Sequence, residues 1–450
     1  MSQTSTEAVA EEARSQHRGV LQNKHFMLLW LAQAVSQTAQ NAIWFGLMVV
    51  VEESTRSSTQ MGLAIITTIL PSILLGMVAG VLVDRMSKRS VLVATNALRA
   101  IVVLGYLLYG TSLALVYVVN FVSSTITQFF APAEAAKIPQ LVPRRQLITA
   151  NSLFNLTFNG SQLAGMVLLG PPLVKFFGPG AVFAAASLAF AVAGLLVYQL
   201  PYEAPPEQTL RGLDKRMVAR RVWSDVVEGW AFITSDRRTS LAMLHLTMAS
   251  ALMLVVAMLA PRYVVAVLNI RADDAVYVLA PAGVGILLGT TAMGQLARRV
   301  AKETLVGTGL LGMSIFIFSL AVVRRIGDGL LAPALGLSAQ QAGASVVPLV
   351  MLIAAVLGLS ISLVIIPSQT ILMERAPVTT RGRIFAVQIV LGHVASIAPL
   401  IFIGGLSDLF GINKVVALVA AGVFAVWLVS TDRFAVAFRK RVKRRAGRGS

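Results

Sequence analysis

Asp84, Arg85, Lys88 and Arg89 crowd one acid and three cations into a single short loop. Such a cluster suits ion pairing and anchoring at a membrane surface rather than covalent chemistry. Met61 to Val83 before it has no charged residue, and Val91 to Leu108 after it has only Arg99. A run of about 20 apolar residues is a bilayer crossing, so the loop is read as the turn of a membrane hairpin. Three amide-rich stripes recur at helical spacing: Gln33, Gln37 and Gln40; Asn120, Ser124, Thr127 and Gln128; Asn155, Asn159 and Gln162. Polar side chains are costly against lipid, so these faces must meet protein or water. No Asp or Glu falls at the centre of an apolar run. The groups that could carry a proton are therefore Glu134, Glu52 or Glu53, His245 and His393. His393 lies ten residues into its span, which is about 15 Å of helix and near mid-depth. A lone histidine in a span is as often a satisfied packing residue. Arg99 has three readings: a pair with Asn96, a side chain reaching for the inner face, or a site for an anionic substrate.

The elements that position these residues are apolar helices. Of 450 residues 56% are hydrophobic and 13% charged, against about 25% charged in a soluble domain, so most of the chain belongs in lipid. There is no cysteine, which excludes disulfides and thiolate metal sites, and four scattered histidines form no metal cluster. No glycine-rich phosphate loop ending in Gly-Lys-Ser/Thr and no Ser/His/acid set stands out, so neither ATP-driven nor enzymatic chemistry is expected. No cofactor is expected either.

Apolar spans are drawn at 26–51, 60–83, 90–110, 112–133, 151–175, 179–200, 239–267, 275–297, 303–323, 346–370, 384–407 and 412–431. Twelve crossings place both termini on one side. Most of the 38 Lys and Arg fall on that side, leaving Arg56, Lys175, Arg262, Arg271, Arg324, Arg325 and Lys414 on the other. The positive-inside rule makes the rich side cytoplasmic, and topology then explains the net charge of +18 without a nucleic-acid partner. The expected organisation is a cytosolic tail 1–25, a six-helix bundle 26–200, a linker 201–238, a second bundle 239–431 and a basic tail 432–450. In the linker Val222, Val226, Trp230 and Ile233 share a helical face flanked by arginines, as in a helix lying at the interface, or in one touching only protein. The halves repeat: Gly170-Pro-Pro to Gly178 corresponds to Gly404-Gly-Leu to Gly411, and Pro132-Ala-Glu134 to Pro367-Ser-Gln369.

The loop also resembles the one after the second helix in the major facilitator superfamily, whose pattern is Gly-x-Leu-x-Asp-Arg-x-Gly-Arg-Arg. Gly80, Leu82, Asp84, Arg85, Lys88 and Arg89 fit, and Ser87 stands where the family has glycine. The segment from Phe130 through Pro132, Lys137, Pro139 and Pro143 to Asn151, with Glu228-Gly229 leading to Arg237-Arg238, is similar to the branch with macrolide efflux proteins and the enterobactin exporter. The resemblance implies an all-α membrane protein of twelve transmembrane helices in two pseudo-symmetric six-helix bundles. It implies that Asp84 latches the halves by facing the start of the eleventh helix near Arg381 and Arg383, and that Arg85 pairs with Glu134. It also implies that the first, fourth, seventh and tenth spans line a central cavity. Gln33, Gln37, Gln40, Asn120, Ser124 and Gln128 are then cavity residues, with Met248 among the methionines of a pliable apolar wall, while the fifth-span amides are packing.

The function expected is alternating-access export of an amphiphilic small molecule, coupled to protons or another ion, by a monomer in the plasma (inner) membrane with both termini cytoplasmic. A lipid or lysolipid translocator and a transport-dead ligand sensor are the other activities this sequence admits.

Overall fold

The computed structural model describes residues 19–108, 112–204, 224, 227–326, 329, 346–376 and 381–446; for 77, 381–383 and 431–446 it describes the backbone alone. Among these residues there is no strand. The helices are α1 (Lys24–Thr55), α2 (Ser58–Asp84), α3 (Lys88–Val103), α4 (Leu113–Leu141), α5 (Leu147–Leu163), α6 (Gly170–Phe177), α7 (Pro179–Tyr198), α8 (Arg237–Leu268), α9 (Ala275–Arg299), α10 (Lys302–Ile326), α11 (Val347–Arg375), α12 (Arg381–Phe410) and α13 (Ile412–Ala446). Eleven helical segments among the described residues are long and apolar enough to cross a membrane.

The expected fifth crossing, 151–175, is the one that differs. It is helical but not uniform: α5 leads through a π-helical turn, Ala164–Leu169, into α6. Pro171 and Pro172 lack the N–H groups that would bond back one α-helical turn, which favours a wider turn just before them. Tight packing against α1 adds to this. A Cβ on Gly165 would strike the Thr38 carbonyl, and one on Gly170 would lie 2.7 Å from the Phe45 ring.

Local signals end the other helices. Arg56 (φ 49°) and Asn269 (φ 55°) adopt the left-handed conformation that closes α1 and α8. Gly178 (φ 81°) and Gly411 (φ 86°), the paired glycines of the sequence repeat, make the breaks between α6 and α7 and between α12 and α13. A side-chain Cβ is strained there, so glycine recurs for a backbone reason.

The chain separates into two compact units, one of residues 1–50 and 67–222, the other of 51–66 and 223–450. In the first, α3 packs on α4 and α7, and Phe26, Leu92, Phe130 and Ala133 are among its buried residues. In the second, α11 packs on α9 and α10, and α8 on α12. The α9–α11 contact is backbone against backbone, since a Cβ on Gly285 would strike the Ala355 carbonyl and one on Gly358 the Ala282 carbonyl. Lipid gives no hydrophobic drive between helices, so small residues that permit close approach supply the attraction.

In the linker, residues 227–235 are helical and lead directly to α8, while Val222, Val226, Arg220 and Arg221 lie outside the described residues. Gly229 packs on Val387 of α12 and Ile233 is buried, whereas Trp230 stays exposed. The face predicted to be continuous is thus divided between protein and surroundings.

Candidate functional site

The charged loop folds by capping in both directions. Ser87 is the N-cap of α3, its hydroxyl accepting the Ser90 N–H at 3.3 Å. That side-chain cap is what serine supplies in place of the family's glycine. Lys88, nearly buried, donates its ammonium to the carbonyls of Val83, Asp84 and Met86 at 2.8, 2.8 and 2.9 Å, satisfying the free end of α2. Arg89 donates to the Tyr198 carbonyl at the end of α7 and lies 4.7 Å from the Tyr198 ring centroid. Asp84 is exposed and Arg85 half-exposed; the Arg381 and Arg383 side chains lie outside the described residues. Around Gly80 a Cβ would meet nothing.

An acid that sequence reasoning passed over organises this corner. Glu203 Oε1 accepts the Lys88 N–H at 2.7 Å and the Arg89 N–H at 3.4 Å, a carboxylate at the positive end of α3. Its Oε2 pairs with Lys137 of α4, which is buried. The sequence shows only an acid just beyond the end of the sixth span and a lysine 66 residues earlier; nothing in their spacing joins them.

Arg99 and Glu134 occupy the interior of the first unit. Arg99, 2% exposed, lies between the rings of Phe130 and Phe190 at 4.4 and 4.5 Å and donates to Asn96 Oδ1 at 2.9 Å. Its Nε has no hydrogen-bond partner, and neither has the buried Oε1 of Glu134. Arg99 lies near enough for its charge to act on Glu134, a neighbour that the resemblance did not indicate. A buried cation with one neutral acceptor is costly unless an opposite charge lies nearby, and Glu134 is the acid this interior supplies.

The amide stripes divide differently from expectation. Asn120 is consumed inside the unit: it accepts from Tyr106 at 2.9 Å and donates to Thr67 and Thr68, both at 2.8 Å. Ser124 is buried, and its carbonyl accepts the Gln128 amide at 3.2 Å. On α1, Gln33 donates to the Phe154 carbonyl at 3.4 Å while its Oε1, like that of Gln40, is buried without a partner; Gln37 is half-buried. On α5, Asn155, Asn159 and Gln162 are exposed. The packing expected of α5 and the free amide expected at Asn120 have changed places.

In the second unit, His245 is buried and 3.0 Å from Ser430 Oγ. Met248 and His393 are half-buried. Among the described residues no group of acids or histidines could hold a metal.

A long-helix bundle with buried charges and polar stripes inside its apolar segments is the build of a multi-pass membrane protein. Residues 29–332 match the model of the Major Facilitator Superfamily, and the chain belongs to that family of secondary transporters. It is 25% identical over 365 residues to the uncharacterized MFS-type transporter YfiS of Bacillus subtilis (strain 168), covering 79% of this chain and 80% of that protein. Macrolide efflux protein A of Streptococcus pyogenes is 30% identical over 126 residues, covering 27% of this chain and 31% of that protein. The crystal structure of the nucleoside transporter NupG superposes with a TM-score of 0.70 at 10% identity over 91% of this chain and 99% of that chain, a likeness of fold. The chain therefore takes a small-molecule substrate and works in a membrane.

Proposed function

We propose that this transporter exports an amphiphilic small molecule by alternating access, driven by proton entry, from a plasma membrane in which both termini are cytoplasmic. The observation that carries the reading is the amide face Asn155, Asn159 and Gln162, exposed on a crossing segment. Such a face is unstable against hydrocarbon, so it borders water, and an aqueous cavity with amide walls suits a molecule with polar and apolar parts. The likeness to macrolide efflux protein A supports the export direction. Glu134 is the proton carrier in this scheme and Arg99 its counter-charge: protonation of the acid removes the attraction between them, and deprotonation restores it. Asp84 serves as the cytoplasmic latch.

The test is accumulation of a panel of fluorescent amphiphiles in proteoliposomes with and without an imposed pH gradient. Gradient-driven accumulation is expected from the native chain, and from Glu134→Gln only gradient-independent exchange. Gradient-driven accumulation by Glu134→Gln at the native rate overturns the assignment of the proton site. One feature favours lipid translocation as the second reading. A cavity of about 350 Å³ between α1, the π-helical turn, α6 and α7 is walled by apolar residues including Ala39, Ala42, Leu169, Leu173 and Val182. Flux that ignores the gradient and is inhibited by phospholipid would select it.

A further inference from the structure

Asp408, near the C-terminal end of α12, holds the first residues of α2, 350 positions away in sequence. Its Oδ1 accepts the Ser58 N–H at 2.7 Å. Its Oδ2 accepts the Thr59 N–H at 3.0 Å and the hydroxyls of Ser57 and Thr59, both at 2.6 Å. Two of the N–H groups that a helix start leaves open thus meet a carboxylate, at the end where the helix dipole attracts negative charge. The helix does not need this help to begin. Ser57 already stands at the cap position, and its own hydroxyl accepts the Gln60 N–H at 3.2 Å. The distant carboxylate is a tertiary contact.

The surfaces it joins are built to meet closely and to part at low cost. Gly62 lies against the Leu400 carbonyl, where a Cβ would come to 2.9 Å, and Gly404 lies against Thr59, where a Cβ would come to 3.0 Å. Ser58 and Ser407, both buried, face each other with hydroxyl oxygens 3.1 Å apart. Around the carboxylate itself the contacts are small and polar, so water can replace each hydrogen bond there when the two helix ends part. Asp408 is itself open to solvent. At the same end of the unit Arg262 of α8 reaches Glu52 of α1 at 3.6 Å.

We propose that Asp408 is a releasable clasp of the transport cycle, closing the outer side while it holds α2 and opening it on release. The proposal rests on the alternating-access reading and on the orientation that makes the α1–α2 connection external. It also mirrors the role assigned to Asp84. Asp84, at the end of α2, is assigned that role toward the start of α12; Asp408, near the end of α12, caps the start of α2.

The chain has no cysteine, so a single introduced thiol is an unambiguous reporter. Ser407→Cys, shielded at 5% exposure, would be labelled with a membrane-impermeant maleimide from each side of sealed vesicles, with and without Asp408→Asn. Loss of a clasp worth one to two kcal/mol shifts a two-state population by a factor of roughly 5–30. Asp408→Asn should therefore raise the labelling rate from the outside by about that factor, and the milder Ser57→Ala by less. Unchanged labelling in folded Asp408→Asn protein overturns the proposal. A second arm uses the pair Ser58→Cys/Ser407→Cys, whose hydroxyl spacing is compatible with a disulfide. Oxidation should abolish transport and reductant restore it; full transport by the oxidised form also overturns the proposal. Labelling needs no substrate, so a native chain without flux whose thiol still responds to Asp408→Asn refutes the exporter reading and leaves the clasp standing.

Discussion

Removing Glu203 should cost the fold far more than removing Lys137, although each substitution breaks the same ion pair. Lys137 is 2% exposed at its side chain and Glu203 25%. Breaking a buried pair from one side costs about 3–5 kcal/mol because the remaining charge has no partner. Glu203→Ala leaves Lys137 with only the Pro201 carbonyl at 3.4 Å and also strips the carboxylate from the start of α3. Partial exposure of the pair and the Ser87 cap that persists place the loss near the lower end, about 3 kcal/mol. Lys137→Met replaces a buried ammonium with an apolar chain of similar length. Glu203 then keeps the Lys88 and Arg89 N–H groups and its access to water, so the loss is about 1 kcal/mol or less. The double variant should lose less than the sum of the two, because a missing lysine removes the cost of an unpaired ammonium and leaves only the lost carboxylate at the start of α3, about 1 kcal/mol. Thermal unfolding in one detergent, followed by tryptophan fluorescence, is the assay; thiol-reactive dyes have no site in this chain. Equal losses for the two single variants, or additive losses in the double, would refute the account of Glu203 as organiser of this corner.

Two further outcomes follow from the geometry. Asp84→Asn should keep the melting temperature, since the side chain is exposed and Lys88 holds the backbone of the turn, yet slow transport severalfold; native transport rates would sink the latch. Gly285→Val should prevent stable folding, because its Cβ enters the α11 backbone, whereas Gly283→Val, with open space around it, should be tolerated within about 1 kcal/mol. Expression and monodispersity on gel filtration distinguish them, and equal behaviour would show that the α9–α11 contact is looser than described.

Much of the architecture was legible from local information. Bilayer thickness sets the length of each apolar run, so the crossings could be drawn from hydropathy, and capping residues lie within a turn of the ends they close. Ser87 was the one departure from the family loop, and the structure gives it a local task, capping α3. The repeat was legible for the same reason: Gly178 and Gly411 are needed where the backbone takes positive φ. The fifth crossing was placed but not its π-helical turn, which depends on how Gly165 and Gly170 meet α1 as well as on the prolines.

The sequence by itself therefore determined the class of protein, its membrane-spanning helices and which polar residues share a helix face, because these follow from period and length. Tertiary structure alone decided what each face meets. Periodicity leaves a helix free to rotate about its axis, and the partner of a side chain is set by that rotation. Hence Asn120 proves to be consumed by Tyr106, Thr67 and Thr68 while the α5 amides stand open. Arg99 finds Phe130, Phe190 and the field of Glu134. Glu203 reaches Lys88 and Lys137, and Asp408 reaches the start of α2, across more than sixty and several hundred positions respectively. Contacts of that range leave no spacing in the chain to read; they arise only when the helices pack.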